Sequence, residues 1–315
     1  MKATECKVAI VGAGNMAREH IRAFADMEHI TLSGIFSRTR TRAETLAKEF
    51  HIREVYNSLD ALFEGTHADL VVITVFETAM LPVSCEAFDY PWTVLMEKPP
   101  GYNRVQAQEI LERAHKKNRH VFVALNRRLL SSSQSAIKDL AANPLPRFIH
   151  VQDQQSLLQA KDIGHPDIVV QNWMYANSIH LVDYLRFLGR GSVESIQPIL
   201  SWDQKNPSIV LTKISFSSGD TGIYEGIWSG PGPWAVSVTT PSRRWEIRPL
   251  EQAAYQNFGE RNLITVETHP WDAQFKPGFR LQAEEAVKGA MGNPSQCATI
   301  DEAYETMCLI EGIFS

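Results

Sequence analysis

The chain has 315 residues, 44% hydrophobic and 21% charged, which excludes a stapled mini-protein or a largely disordered chain and suggests two domains. Thirty-one Lys and Arg against 36 Asp and Glu leave a net charge of −5, so no global electrostatic case exists for holding nucleic acid or an anionic membrane. Cys6, Cys85, Cys297 and Cys308 show neither C-x-x-C nor finger spacing, which points to reduced thiols and no metal site. Glu5 and Lys7 interrupt any signal-peptide core, and no apolar run approaches the roughly 20 residues that span a bilayer. A cytoplasmic protein is expected.

The first third alternates short β-branched runs with amphipathic stretches: KVAIVG, a helix from Met16, ITLSGIF, a helix from Arg40, then DLVVITV. The pattern continues with WTVLME, a helix from Asn103 to about Lys117, and HVFVAL. Near-continuous apolar strands separated by helices predict an α/β domain with a doubly wound parallel sheet over residues 1–125. After Asn126 the texture changes. Helices are expected over 131–141 and 177–188, the second with Ile179, Val182, Leu185 and Leu188 on one buried stripe. Strands follow over 192–201, 207–217, 221–229, 234–240 and 243–249, with turns at Ser218-Gly219-Asp220 and Pro241-Ser242, as in an antiparallel meander. The GPGP run at 230–233 reads as a loop, and helices from about 277 and 299 close the chain. Residues 126–315 thus form a second, α+β domain with an open, mostly antiparallel sheet.

Gly12-Ala13-Gly14-Asn15-Met16-Ala17 follows the first strand and opens a helix, the context a G-x-G-x-x-G/A dinucleotide fingerprint requires. Gly12 permits the tight turn, Gly14 lets backbone N–H groups approach a pyrophosphate at the positive helix end, and Ala17 allows close helix–sheet packing. The first domain therefore reads as a Rossmann dinucleotide-binding domain. After the second strand the chain reads Phe36-Ser37-Arg38-Thr39-Arg40-Thr41-Arg42, without the carboxylate that usually binds the ribose of NAD. Ser37, Arg38 and Arg42 suit a 2′-phosphate, so NADP is favoured, with NAD as the other option; a solvated basic helix face is the alternative reading.

Together with that fingerprint, Glu97-Lys98-Pro99-Pro100, Asn126-Arg127-Arg128 and Ile179-His180-Leu181-Val182-Asp183 resemble the glucose-fructose oxidoreductase / inositol dehydrogenase / rhizopine-catabolism (Gfo/Idh/MocA) family over nearly the whole chain. The resemblance implies hydride exchange between a nicotinamide and a hydroxyl-bearing carbon of a sugar, cyclitol or nucleotide sugar. It implies a second domain that binds substrate and oligomerises. Lys98, at a strand's carboxyl end, can carry a proton or polarise an alkoxide, and Glu97 can orient the ammonium or the cofactor. A structural ion pair is the alternative for Lys98. Either following proline can hold a cis bond. His180 matches the family's catalytic histidine, and an ordinary imidazole pKa of about 6.5 suits taking a hydroxyl proton. Asp183 is expected to orient a neighbour or sit on the helix surface.

Asn126 and Arg127 follow the sixth strand and are candidates for the nicotinamide side and the substrate oxygens. Trp173 and Tyr175 suit a sugar face or ordinary rim packing. Arg128, Arg243 and Arg244 are candidates for a substrate phosphate, a strand edge being the alternative for the latter pair. The sequence departs from the family in two places. Ala176 stands where many members carry an aspartate, which leaves Asn177 as the nearest polar group to contact substrate. Phe76, Glu77 and Met80 replace a Pro-Asn and a later histidine, leaving the backbone of Thr74, Val75 and Phe76 to border the cofactor. Two other readings stay open: a cofactor-binding sensor that lost chemistry, and a bound-cofactor epimerase or lyase. Ile209, Leu211, Ile214, Ile223 and Ile227 are expected to supply a homo-oligomer surface, dimer or tetramer, as well as core.

Overall fold

The apolar runs at regular intervals become strands of one sheet in the computed structural model, which describes residues 5–315; residues 1–4 of the expected first domain lie outside it. In chain order the elements are β1 (Cys6–Val11), α1 (Asn15–Ala25), β2 (Ile30–Phe36), α2 (Arg40–Phe50), β3 (Val55–Tyr56), α3 (Leu59–Thr66), β4 (Leu70–Ile73), α4 (Glu77–Ala87), β5 (Thr93–Met96), α5 (Arg104–Lys116) and β6 (Val121–Val123). A 3-10 turn over Asn126–Leu129 leads to α6 (Ser131–Ala141), β7 (Phe148–Gln154), α7 (Leu157–Asp162) and α8 (Asp167–Gln171). A π turn over Met174–Ser178 then opens α9 (Ile179–Leu188). The remainder is β8 (Val193–Leu200), β9 (Ile209–Phe216), β10 (Thr221–Ile227), β11 (Trp234–Thr239), β12 (Arg243–Ile247), β13 (Ala253–Asn257), β14 (Ile264–Val266), α10 (Pro270–Gln274), α11 (Phe279–Ala290), β15 (Ala298–Thr299) and α12 (Ile300–Phe314).

The chain divides into two compact units, residues 1–129 with 271–304, and residues 130–270 with 305–315. The expected division at 125/126 is close to the first crossing, but the stretch 271–304 returns to the first unit. Its physical reason is apolar: Phe279, Ala283 and Ala286 of α11 join the core that holds Ala17, Ile21 and Phe24 of α1.

The first unit's sheet has the order β3-β2-β1-β4-β5-β6, the strand order of a dinucleotide-binding fold, with every pair parallel. β15 adds antiparallel at the β6 edge, a strand absent from the sequence expectation because two residues carry no periodicity. Leu70–Ile73 and Val94–Met96 are buried throughout, as strands covered on both faces must be. Asn103 caps α5 by accepting from Gln106 N at 2.9 Å, which fixes that helix where the sequence starts it.

The second unit's sheet has the order β14-β13-β12-β11-β7-β10-β9-β8. It is mostly antiparallel, but it is not the simple meander expected from the sequence. β7 is inserted between β11 and β10 and pairs with β10 in parallel. β7 escapes sequence reading because Phe148–Gln154 carries three polar residues of four at its end, and β13 and β14 are too short to show alternation. Ile179, Val182, Leu185 and Leu188 are fully buried, and α9 lies against β7 and β11. On β9 and β10, Val210, Thr212, Ile214 and Tyr224 face the helix-covered side, while Ile209, Leu211, Ile223 and Ile227 face the other. Ile214 therefore belongs to the core and not to an exposed surface. Among the described residues no helix is long and apolar enough to cross a membrane.

The expected turn at Ser218-Gly219-Asp220 joins β9 to β10, with Gly219 at φ +84°. It is locked by Asp220, which is 1% exposed and accepts from the Arg147 backbone N at 2.8 Å and from Arg190 Nη2 at 2.7 Å and Nε at 2.9 Å. Burial alone would raise its pKa; the bonds from Arg190 and two backbone N–H groups outweigh that and hold the carboxyl below its ordinary range. Asp220→Ala is expected to cost roughly 3 kcal/mol or more, read as a lower denaturation midpoint, because it strands buried donors. The sign with pH follows from the lowered pKa: the stabilisation is complete above about pH 4 and falls away as acid protonates Asp220, so the gap between wild type and variant narrows there.

Candidate active site

In the first unit Val11 lies beside Ile73, Ile73 beside Met96, and Met96 beside Val123, so four parallel strands end in step. Gly12, Thr74, Glu97 and Ala124 consequently form one row at the carboxyl edge, where open α/β sheets bind ligands. Backbone bonds fix the row: Thr74 N to Val11 O at 2.7 Å, Glu97 N to Ile73 O at 2.8 Å and Ala124 N to Met96 O at 2.8 Å. Gly12 has φ +110°, and a Cβ there would stand 2.5 Å from Thr74 O, so both its conformation and its neighbour require glycine.

Gly14 caps α1 in extended conformation with no side-chain bond, and the first turn holds no acidic residue. A Cβ on Gly14 would meet nothing within 4 Å. The N–H groups at this helix end thus face open space with a positive local field, which fits a pyrophosphate. Ala13 and Met16 are half-buried against the core, Asn15 is exposed, and Ala17 is buried as its packing role requires. At the end of β2, Ser37 is half-buried and accepts from Thr39 N at 3.2 Å. Arg38 and Arg42 are exposed, whereas Arg40 is tied to Glu44 and Asn57. After β4, Thr74 is buried, Val75 half-buried and Phe76 65% exposed.

Glu97 is buried and its Oε1 lies 2.8 Å from Nε2 of His20 on α1, whose ring packs on Phe279 with centroids 4.7 Å apart. This pair ties the helix with the open N-terminus to the strand that carries Lys98. His20 was not anticipated, although a histidine among Ala17, Ile21 and Phe24 on the buried helix face signals a buried polar partner. Desolvation pushes the Lys98 ammonium below the ordinary lysine pKa; Glu97 and Glu77 oppose this, and Lys276 and Arg127 add to it. The Lys98–Pro99 peptide is cis. Asn126 is buried and its Nδ2 donates to Pro277 O at 2.9 Å, while Arg127 follows it in the 3-10 turn and contributes positive charge near Lys98.

In the second unit Trp173, Tyr175 and His180 are buried and Asn177 is half-buried, all within or beside the π turn that opens α9. The Trp173 Nε1 donates to Gln155 Oε1 at 2.9 Å, and Asn177 Nδ2 donates to the same oxygen at 2.8 Å. Gln155 Nε2 in turn donates to Asp153 Oδ1 at 2.5 Å, and Tyr224 OH donates to Asp153 Oδ2 at 2.7 Å. The rings of His180 and Trp234 lie 6.2 Å apart. Asp153 is fully buried, and burial pushes its carboxyl up against the opposing hydrogen bonds of Tyr224 and Gln155. Gln155 and Asp153 were missed with β7; the signal was a carboxylate on the same strand parity as Ile149 and Val151.

Asp183 is 2% exposed and accepts from Thr306 Oγ1 at 2.9 Å, so it is not a helix-surface residue. Arg128 pairs with Glu302 at 3.0 Å. Arg243 pairs with Asp139 at 2.6 Å and stacks over Tyr255, and Arg244 pairs with Glu246 at 2.9 Å; β12 is an interior strand, not an edge. These guanidinium groups are engaged by carboxylates. Among the described residues no group of three His, Cys, Asp or Glu could hold a metal.

No curated protein matches the sequence. Among solved structures the fold is similar to an NAD binding oxidoreductase from Klebsiella pneumoniae, with TM-score 0.83, 16% identity and coverage of 99% of this chain and 96% of that one. It is also similar to UDP-N-acetylglucosamine 3-dehydrogenase GnnA from Acidithiobacillus ferrooxidans, with TM-score 0.78, 15% identity and coverage of 99% and 97%. Aldose-aldose oxidoreductase from Caulobacter crescentus, complexed with glycerol, gives TM-score 0.80, 19% identity and coverage of 98% and 96%. At these identities the likeness establishes the fold. Residues 6–125 match the oxidoreductase family with an NAD-binding Rossmann fold, GFO_IDH_MocA. By that match and that architecture, the N-terminal domain belongs to the Gfo/Idh/MocA family of NAD-binding oxidoreductases.

Proposed function

We propose that the protein is an NAD(P)-dependent dehydrogenase or reductase acting on a hydroxyl- or keto-bearing carbon of a sugar, cyclitol or nucleotide sugar. The observation that carries this reading is Lys98: a lysine with a lowered pKa, two residues beyond the end of β5 and next to Glu97 of the row that begins with the glycine turn. The sugar-type substrate is supported by two similar folds whose names state sugar chemistry. When bound, the nicotinamide supplies the hydride acceptor or donor. The α1 N-terminus with Gly12, Ala13, Gly14, Asn15 and Met16 holds its pyrophosphate, and Thr74, Val75, Phe76, Glu97 and Asn126 border the ring. Lys98 and His180 handle the hydroxyl proton at the reacting carbon, with Lys98 also contacting substrate. Arg127, Trp173, Tyr175 and Asn177 bind the remaining oxygens and faces of the substrate.

A half-buried, desolvated amine can accept a proton only when neutral, and desolvation makes that form available at lower pH than for a free lysine. Alcohol oxidation should therefore rise with pH through an apparent pKa below the ordinary value of about 10.4. Lys98→Met should reduce turnover by about 10² or more, and Lys98→Arg should do the same and abolish the rising limb, because a guanidinium stays charged. Wild-type turnover in either variant would remove Lys98 from the mechanism.

Ser37, Arg38 and Arg42 favour NADP over NAD, since exposed guanidinium groups and a hydroxyl follow β2 in place of a carboxylate. Arg38→Ala should raise the KM for NADPH about tenfold and leave that for NADH nearly unchanged. Equal loss for both cofactors would place Arg38 elsewhere, for instance stacked on adenine.

The uncovered sheet face supports self-association, because Ile209, Leu211, Ile223 and Ile227 share it. Light scattering at micromolar concentration should report a dimer or tetramer, and Leu211→Lys should shift it toward monomer. A monomeric wild type would refute the assignment.

A further inference from the structure

The hydrogen bonds around Gln155 have only one consistent direction. The Trp173 indole can donate but never accept, so the Gln155 atom that meets it at 2.9 Å must be the carbonyl oxygen. The other end of Gln155 is then the amide nitrogen, and it meets Asp153, whose second oxygen takes the Tyr224 hydroxyl at 2.7 Å. Asn177 also reaches the Gln155 carbonyl oxygen, at 2.8 Å, so it must present its own nitrogen there. Its Oδ1 is left pointing away from Gln155, and that oxygen accepts no hydrogen bond among the described residues. Gln155 and Asp153 are 2% and 0% exposed, so none of these orientations can be exchanged with water.

We propose that Gln155 is a positioning residue for substrate recognition: anchored by Asp153, it fixes Trp173 and turns the Asn177 side chain so that Oδ1 accepts a hydrogen bond from a substrate hydroxyl. The inference rests on the proposed sugar-type activity and deepens it. It assigns the second unit a preference for a group that donates at this point, a hydroxyl, and a penalty for the same molecule lacking it.

Two measurements separate the failure of this proposal from the failure of the activity. In protein labelled with ¹⁵N at its indoles, the Trp173 signal, assigned by Trp173→Phe, should move on Gln155→Met and stay in place on Asn177→Ala. An unmoved Trp173 signal in Gln155→Met overturns the positioning role whatever the enzyme does. In the second measurement D-glucose, its four monodeoxy analogues and myo-inositol are assayed with NADPH- or NADH-linked turnover. Wild type should disfavour one deoxy analogue by about tenfold in kcat/KM, and both Gln155→Met and Asn177→Ala should lose that discrimination, mainly through KM. Discrimination retained in Asn177→Ala overturns the acceptor role. No turnover of any probe by wild type counts against the activity, and the indole signal still decides whether Gln155 positions Trp173. Asn177→Ala removes only a half-buried side chain, so a fold defect in Gln155→Met does not leave the second arm without a variant.

Discussion

One close approach governs the first unit: the backbone at Gly12 passes so near Thr74 that a methyl group would overlap its carbonyl oxygen. The ends of β1 and β4 are thereby held in register, and β5 follows through its ladder with β4. The first unit's candidate residues are arranged along that row. The turn leaves the first N–H groups of α1 unobstructed, and the neighbouring strand end delivers Glu97 and then Lys98. The buried contact of Glu97 with His20 closes the loop mechanically, because it fastens the helix whose terminus suits an anion to the strand whose lysine suits a proton.

The Rossmann half was legible because burial on both faces leaves an unambiguous mark. Strands such as Leu70–Ile73 contain nothing but apolar residues, and the helices between them begin at residues that cap or precede them. The glycine fingerprint placed Gly12 at the end of β1, the motif after the fifth apolar run placed Lys98 just past β5, and periodicity placed the buried stripe of α9. The second half was legible only where one face stays apolar. β9 and β10 alternate visibly, whereas β7 ends in Gln152, Asp153 and Gln154, and a polar run reads as a loop. Missing that strand hid the parallel pairing with β10 and, with it, the residues that orient Trp173 and Asn177.

The arginines show a second limit of sequence reading. Arg38, Arg42, Arg128 and Arg243 look alike in a list of basic residues, and the difference among them lies in what each meets. Glu302 and Asp139 neutralise two of them, while the pair after β2 extends into solvent. Those acidic partners come from distant parts of the chain, 174 and 104 residues away, so no local pattern could have announced them.

The return of residues 271–304 to the first unit has a consequence for biogenesis. A nascent chain halted near residue 129 would lack Phe279, Ala283 and Ala286, leaving the apolar side of α1 without its cover. The glycine turn's supporting helix thus gains its final packing only after residues 130–270 have left the ribosome, so the cofactor half cannot close its core until most of the second unit has been made, and residues 305–315 then complete that second unit.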